Sequence, residues 1–203
     1  IQGPVKDKKL TPKIAQTAKY LWGIYSGLTL LCCCCYYLAG MNFFEAICES
    51  FSTISTGGFS IYDSGFMYYN SKIIDYIAIF FMLAGATNFS LHFMALKDKS
   101  FSSYYRNFEF STFIKIIVVA TILVSTIHFD NIVEIDDWEI FHHGLFMVVS
   151  MLTTTGFSNC DFAVWQSILP TFLLMLGFIG GCSGSTSGGV KVMRFIFLCR
   201  EAI

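Results

Sequence analysis

Residues 20–40 carry no charged side chain, and this run decides most of what the chain can become. A helix needs about 20 consecutive apolar residues to cross roughly 30 Å of hydrocarbon. Within lipid, only helices and closed barrels satisfy every backbone N–H and C=O. Three further runs follow. Residues 73–96 read as a second span with Asp75 near its outer end, and residues 113–129 as a third, with Lys115 placed to snorkel to the interface. The fourth begins near Ser167, stays apolar to Phe178, is interrupted by GGCSGSTSGG at residues 180–189, and resumes over residues 190–199. Glycine and serine at that density break a helix. Non-helical backbone at membrane depth persists only where protein or a water-filled cavity covers it, so the break points inward. Composition agrees: 55% hydrophobic, 13% charged and a mean hydropathy of +0.61 exclude an ordinary soluble domain. A net charge of -1 leaves no basic excess for a nucleic acid. Cys32, Cys33, Cys34, Cys35, Cys48, Cys182 and Cys199 sit in or beside apolar runs and read as reduced thiols rather than a disulfide framework.

Two shorter apolar stretches, residues 43–54 and 141–152, cannot span and end at glycine-containing turns, which predicts re-entrant half-helices. Each follows a capping-box pattern, Asn42 with Glu45 and Asp136 with Glu139. All but one of the 13 basic residues lie before the first span, between spans two and three, or at the end of the chain; Lys72 is the exception. By the positive-inside rule these are cytoplasmic, so both half-helices open outward. The outer connection carries Asp130, Glu134, Asp136, Asp137, Glu139 and Asp161, either an acidic vestibule that concentrates cations or a solvated acidic loop.

An offset of 98 residues lays the second half-helix on the first. Phe43 falls on Phe141, Ser52 on Ser150, Thr56 on Thr154, Gly58 on Gly156, Phe59 on Phe157, Ser60 on Ser158 and Asp63 on Asp161. Each unit reads span, half-helix, glycine loop, span. The capping residues break this register, so the half-helix starts differ by about a turn. Such a unit suits a cation, which must exchange water for backbone carbonyls on an extended loop. The negative C-terminal ends of the half-helices aim at that loop. The expected fold is therefore an all-α integral membrane protein, potassium-channel-like, with its last helix broken by an intramembrane loop. Residues 1–16 form a cytoplasmic connection, 17–96 a first pore repeat, 97–111 a cytoplasmic loop and 112–203 a second repeat.

The segments STISTGGFSIYDSGF (residues 52–66), AGATNFSLHF (84–93), TTTGFSNCDFAVW (153–165) and GGCSGSTSGGVKVMR (180–194) resemble the Trk/Ktr/HKT superfamily of potassium transporters, and within it the bacterial TrkH/TrkG branch. The resemblance implies four such repeats around one ion path, of which this chain looks like the second and third, and potassium uptake across the inner membrane of a bacterium. It implies filter carbonyls from Ser55, Thr56, Gly57 and Gly58 and from Thr153, Thr154, Thr155 and Gly156, with potassium as substrate held only there and no cofactor in this chain. Phe59 and Phe157 would brace the loops. Asp63 and Asp161 would support them, by attracting cations or by bonding their own turns. One filter glycine per loop, against two in TVGYG, implies less rigid selectivity among potassium, rubidium and sodium. The break formed by Gly180, Gly181, Cys182, Ser183, Gly184, Ser185, Thr186, Ser187, Gly188 and Gly189 looks like the family's gate loop, where small side chains permit large φ/ψ changes.

The family further implies a homodimer in membrane lipid and a cytosolic nucleotide-binding regulatory subunit of the TrkA or KtrA type. Lys191 and Arg194 are on the side to meet that subunit, although positive-inside anchoring accounts for them equally. The chain itself has no Walker loop, since Val190 and Lys191 follow Gly188 and Gly189. It also pairs no nucleophile with a base, so no enzyme is expected. His142 and His143 beside Glu139 invite a metal reading, but adjacent residues point about 100° apart on a helix. His92 and Asn88 read as packing or interhelical hydrogen bonds. The family reading includes both channel-like passage and symport. A transport-inactive scaffold or sensor, or a two-loop channel subunit that dimerises, are the competing functions; intact loop glycines favour transport. Opening on Ile1, the chain reads as an internal piece of a longer protein.

Overall fold

The computed structural model describes residues 10–129, 137–165 and 168–201, and among these the regular structure is helical throughout. Helix α1 (Leu10–Leu38) is followed by the half-helix α2 (Phe43–Ile54), a 3-10 turn (Gly65–Tyr68), α3 (Lys72–Ala86), α4 (Phe89–Asp98) and the short α5 (Ser102–Arg106). The second unit has α6 (Phe108–Phe129), the half-helix α7 (Asp137–Leu152), a 3-10 turn (Phe162–Val164), α8 (Ile168–Ile179) and α9 (Val192–Glu201). Two stretches, Gln16–Leu38 and Phe108–Ile127, are long and apolar enough to cross a bilayer unaided.

Local chemistry sets the boundaries. Helix α1 ends where Gly40, at φ 108°, turns the chain back so that the Met41 N–H reaches the Tyr36 carbonyl at 3.1 Å. Glu45 then accepts from the backbone N–H and the side-chain amide of Asn42, both at 3.0 Å, starting α2. Asn107 accepts from the Phe110 N–H at 2.9 Å at the head of α6. The half-helix α2 matches its sequence boundaries, and α7 ends at Leu152, the residue that the 98-residue offset pairs with Ile54.

The second span departs from expectation. Residues 73–96 do not form one helix; α3 and α4 meet at a 97° bend. Thr87 leaves the helix at φ -89° and ψ 149°, its hydroxyl returning to the Leu83 carbonyl at 2.8 Å, and Asn88 caps α4 by accepting from the Ser90 N–H at 2.8 Å. The second unit is interrupted at the corresponding place, between α8 and α9. Asp130, Glu134 and Asp136, and the basic residues before Leu10, lie outside the described residues. All eight cysteines are free thiols.

Helix α1 packs on α2, α3 and α4; α6 packs on α7 and α9; α7 packs on α8; and α3 lies against α7, forming the seam between the units. Phe66 sits at this seam, 1% exposed, its ring 4.4 Å from Phe157 and 5.8 Å from Phe146. Large apolar side chains such as Trp22, Leu30 and Leu38 remain exposed on α1, as suits a helix facing lipid or other apolar segments. Replacing a buried aromatic by alanine costs about 3–5 kcal/mol. Phe66→Ala in the complete protein is therefore expected to lower the thermal unfolding midpoint in detergent by several degrees, followed by the fluorescence of a thiol-reactive dye.

Candidate functional site

Both half-helices end in the same motif. The Gly57 N–H bonds the Ser52 carbonyl at 2.8 Å and the Thr56 N–H the Thr53 carbonyl at 3.1 Å. In the second unit, Thr155 N–H to the Ser150 carbonyl is 2.9 Å and Thr154 N–H to the Met151 carbonyl 3.0 Å. This is the Schellman arrangement, with threonine where glycine is usual. Thr56 and Thr154 accordingly take left-handed φ values of 51° and 59°, costly for a β-branched residue. Two residues on, Gly58 and Gly156 are again left-handed, at 71° and 84°. The motif turns backbone N–H groups back toward the helix. Among the described residues no hydrogen bond is accepted by the carbonyls of Thr56, Gly57, Gly58, Thr154, Thr155 or Gly156. The two loops touch: a Cβ on Gly58 would run into the Thr155 carbonyl, whereas one on Gly156 would meet open space. Replacing Gly58 therefore displaces backbone, while Gly156 can accept a side chain at the cost of its φ alone.

The remaining threonines and serines brace these turns. Thr153 and Thr155 hydroxyls are 2.8 Å apart, and the Ser150 hydroxyl donates to the Phe157 carbonyl at 2.6 Å. Ser55 is exposed and donates weakly to the Ser52 carbonyl. Phe157 is buried against Phe66, while its counterpart Phe59 is 83% exposed. Asp161 is exposed and accepts from the Ala163 N–H at 3.1 Å, capping its own turn; Asp63 is exposed.

Beyond each loop the chain is tied to a buried carboxylate. Glu49 Oε1 accepts from the Ser60 hydroxyl at 2.6 Å and the Ile61 N–H at 3.3 Å. Asp75 Oδ2 accepts from His142 Nε2 at 2.9 Å and Asn159 Nδ2 at 2.8 Å. His142 is thus a partner of Asp75, and among the described residues no group of three or more metal-ligating side chains occurs.

The glycine–serine segment lies directly against both loops. The single hydroxyl proton of Thr186 is shared between the Ile54 carbonyl at 2.8 Å and the Gly85 carbonyl at 2.9 Å, and the Thr186 N–H also donates to Gly85 at 3.2 Å, so the residue grips the end of α2 and the end of α3 together. The Gly188 N–H donates to the Thr154 hydroxyl at 2.6 Å, and the Cys182 N–H to the Ala86 carbonyl at 2.9 Å. Inside the segment, Ser187 accepts from the Gly181 N–H at 2.8 Å, and Ser185 donates to the Cys182 carbonyl at 2.5 Å. Left-handed Gly180 and Gly189 pass so closely that neither has room for a Cβ. From the other side, buried Glu109 accepts from the Ser183 N–H at 2.7 Å. Lys191 turns inward and donates Nζ to the Ser187 carbonyl, whereas Arg194 is exposed on α9. His92 bridges Tyr104 and the Ala84 carbonyl at 2.7 and 2.9 Å.

Sequence reasoning placed the loops and the break but gave no role to Glu49, Asp75 or Glu109. The available signal was an ionisable residue inside an apolar run, which marks a site by default.

Apolar spans, paired re-entrant half-helices and a broken helix sewn to their loops define an integral membrane protein of the transporter class. The TrkH cation transport protein family matches residues 1–203, and the chain belongs to that family. It is 41% identical over its full length to the Trk system potassium uptake protein TrkH of Halomonas elongata, covering 42% of that protein. It is 44% identical over 200 residues to the Vibrio parahaemolyticus TrkH, covering 98% of this chain and 41% of the relative. The crystal structure of the potassium transporter TrkH from Vibrio parahaemolyticus superposes with a TM-score of 0.90 at 42% identity, over 94% of this chain and 42% of that one. The chain thus spans about two-fifths of the length of these relatives.

Losing the Thr186 hydroxyl leaves the Ile54 carbonyl unpaired, at about 1–3 kcal/mol, while the Gly85 carbonyl keeps the Thr186 N–H at 3.2 Å. Thr186→Val is expected to speed amide hydrogen exchange across residues 180–189, read by mass spectrometry, with α1 unchanged.

Proposed function

We propose that the protein containing this chain takes up potassium ions, with the two loops contributing half of a carbonyl-lined selectivity filter. The observation that carries the reading is the repeated loop geometry. Twice, at an offset of 98 residues, a half-helix ends in the same left-handed turn, followed by carbonyls without hydrogen-bond partners among the described residues. Partial negative charge at a helix C-terminus favours a cation at that place, and such carbonyls replace its hydration shell. The relatives' names, Trk system potassium uptake proteins, support potassium as the cation.

The glycine–serine segment is then the gate. Its contacts to Ile54, Gly85 and Thr154 couple it to the base of both loops, and glycine lets it rearrange. Exposed Lys97, Lys99, Arg106 and Arg194 form the face for a cytosolic nucleotide-binding subunit of the TrkA or KtrA type. Half-buried Lys191, engaged with the Ser187 carbonyl, acts on the segment instead. The protein sits as a homodimer in the cytoplasmic membrane, with the loops opening outward.

Rubidium uptake into cells without their own potassium transporters, expressing the complete protein and its regulatory subunit, tests this. Gly156→Ser, which fits the space available, is expected to lower the rubidium-over-sodium preference by about tenfold, equivalent to about 1.4 kcal/mol. Gly58→Ser, which must push the Thr155 carbonyl aside, is expected to abolish uptake. Wild-type protein that inserts well but carries no rubidium would overturn the transport reading in favour of a scaffold or sensor.

A further inference from the structure

The two loops are anchored differently, and the difference lies in which unit supplies the anchor. Ile61 and Asn159 occupy equivalent positions under the 98-residue offset, three residues beyond the loop glycine. In the first unit, the residue is held through its backbone N–H by Glu49, which stands on the same unit's half-helix. In the second, it is held through its side chain by Asp75, which stands on α3 of the other unit. The same carboxylate oxygen accepts from His142 on α7, so a half-helix and the outer limb of its loop share one acceptor across the seam. All three side chains are enclosed, at 6% exposure for Asp75 and Asn159 and 1% for His142, and the edge of Tyr76 packs on the imidazole at 4.8 Å. Enclosure keeps water from competing for these hydrogen bonds and strengthens them.

We propose that Asp75, with His142 and Asn159, is a positioning cluster that sets the distance between the two loops and thereby the cation selectivity of the path. The Gly58–Thr155 contact makes this distance sensitive, since the loops meet through backbone atoms with no side chain to absorb a shift. Glu49 fixes its loop to its own helix and leaves that spacing untouched. Asp75 is different because it belongs to one unit and holds the other. None of the three residues touches the ion. The inference rests on the filter reading above.

The test measures rubidium uptake, its inhibition by sodium and the amount of inserted protein, for the complete transporter with its regulatory subunit. Asp75→Asn and His142→Phe are each expected to lower the rubidium-over-sodium preference about five- to tenfold, the loss of a buried hydrogen bond felt at the loop. The maximal rate per inserted molecule should stay within about twofold, a split that a purely structural defect does not produce. His142→Gln, whose amide can donate to the same oxygen, should restore the preference. If Gly156→Ser alters the preference while Asp75→Asn and His142→Phe do not, the positioning role is wrong and the filter reading stands. If Gly156→Ser also leaves it unchanged, both fall. Should Asp75→Asn fail to insert, the His142 pair decides: equal preferences in His142→Phe and His142→Gln overturn the inference.

Discussion

Backbone that leaves a helix between apolar spans has no water to bond, and the architecture follows from how that debt is settled. Among the described residues, helix is interrupted after α2, between α3 and α4, after α7 and between α8 and α9. They are stitched to one another. The segment between α8 and α9 supplies N–H groups and a threonine hydroxyl to the carbonyls of Ile54, Gly85 and Ala86, and a further N–H to the Thr154 hydroxyl oxygen. Each irregular stretch is therefore stable only in the company of the others, and the place where they converge is where the two loops meet.

That mutual dependence also arranges charge. Backbone N–H groups are consumed behind each turn by the Schellman bonds, leaving the helix ends and loop carbonyls as the electronegative side. The ionisable side chains stand one layer back. Glu49 and Asp75 hold the chain just beyond each loop, and Glu109 and Lys191 hold the glycine–serine segment, each by bonds to peptide groups, hydroxyls, an amide or an imidazole. The carboxylates act as fixed acceptors in the scaffold, while backbone dipoles form the surface between the loops.

Much of this was legible in the sequence because it is local. The limits of α2, the end of α7 and the break at residues 180–189 follow from apolar length, capping residues and glycine density. The bend between α3 and α4 was not legible in the same way. A single Gly85 and the Thr87–Asn88 pair are weak breakers, and the carbonyls they expose are satisfied by Cys182 and Thr186, about a hundred positions away. The Asp75–His142 pair was missed for the same reason. In the sequence Asp75 reads as a charge near the end of a span and His142 as one of two adjacent histidines, and only the packing of α3 on α7 brings them together. The free turn of Phe59 and the enclosure of Phe157 likewise distinguish two positions that the repeat makes identical.

The outgoing helices are short. At 15 residues, α3 rises about 22 Å, and at 12 residues α8 rises about 18 Å, against a hydrocarbon core of about 30 Å. Regular helix therefore insulates only part of the membrane beside the loops, and irregular, polar backbone makes up the remainder. Polar material drops little voltage. Most of a transmembrane potential then falls across the thinner insulated layer, giving a steeper field there than a full-length helix pair would. An elementary charge crossing it still gains about 2.3 kcal/mol per 100 mV in total, but over the rise of the short helices rather than over the full hydrocarbon thickness.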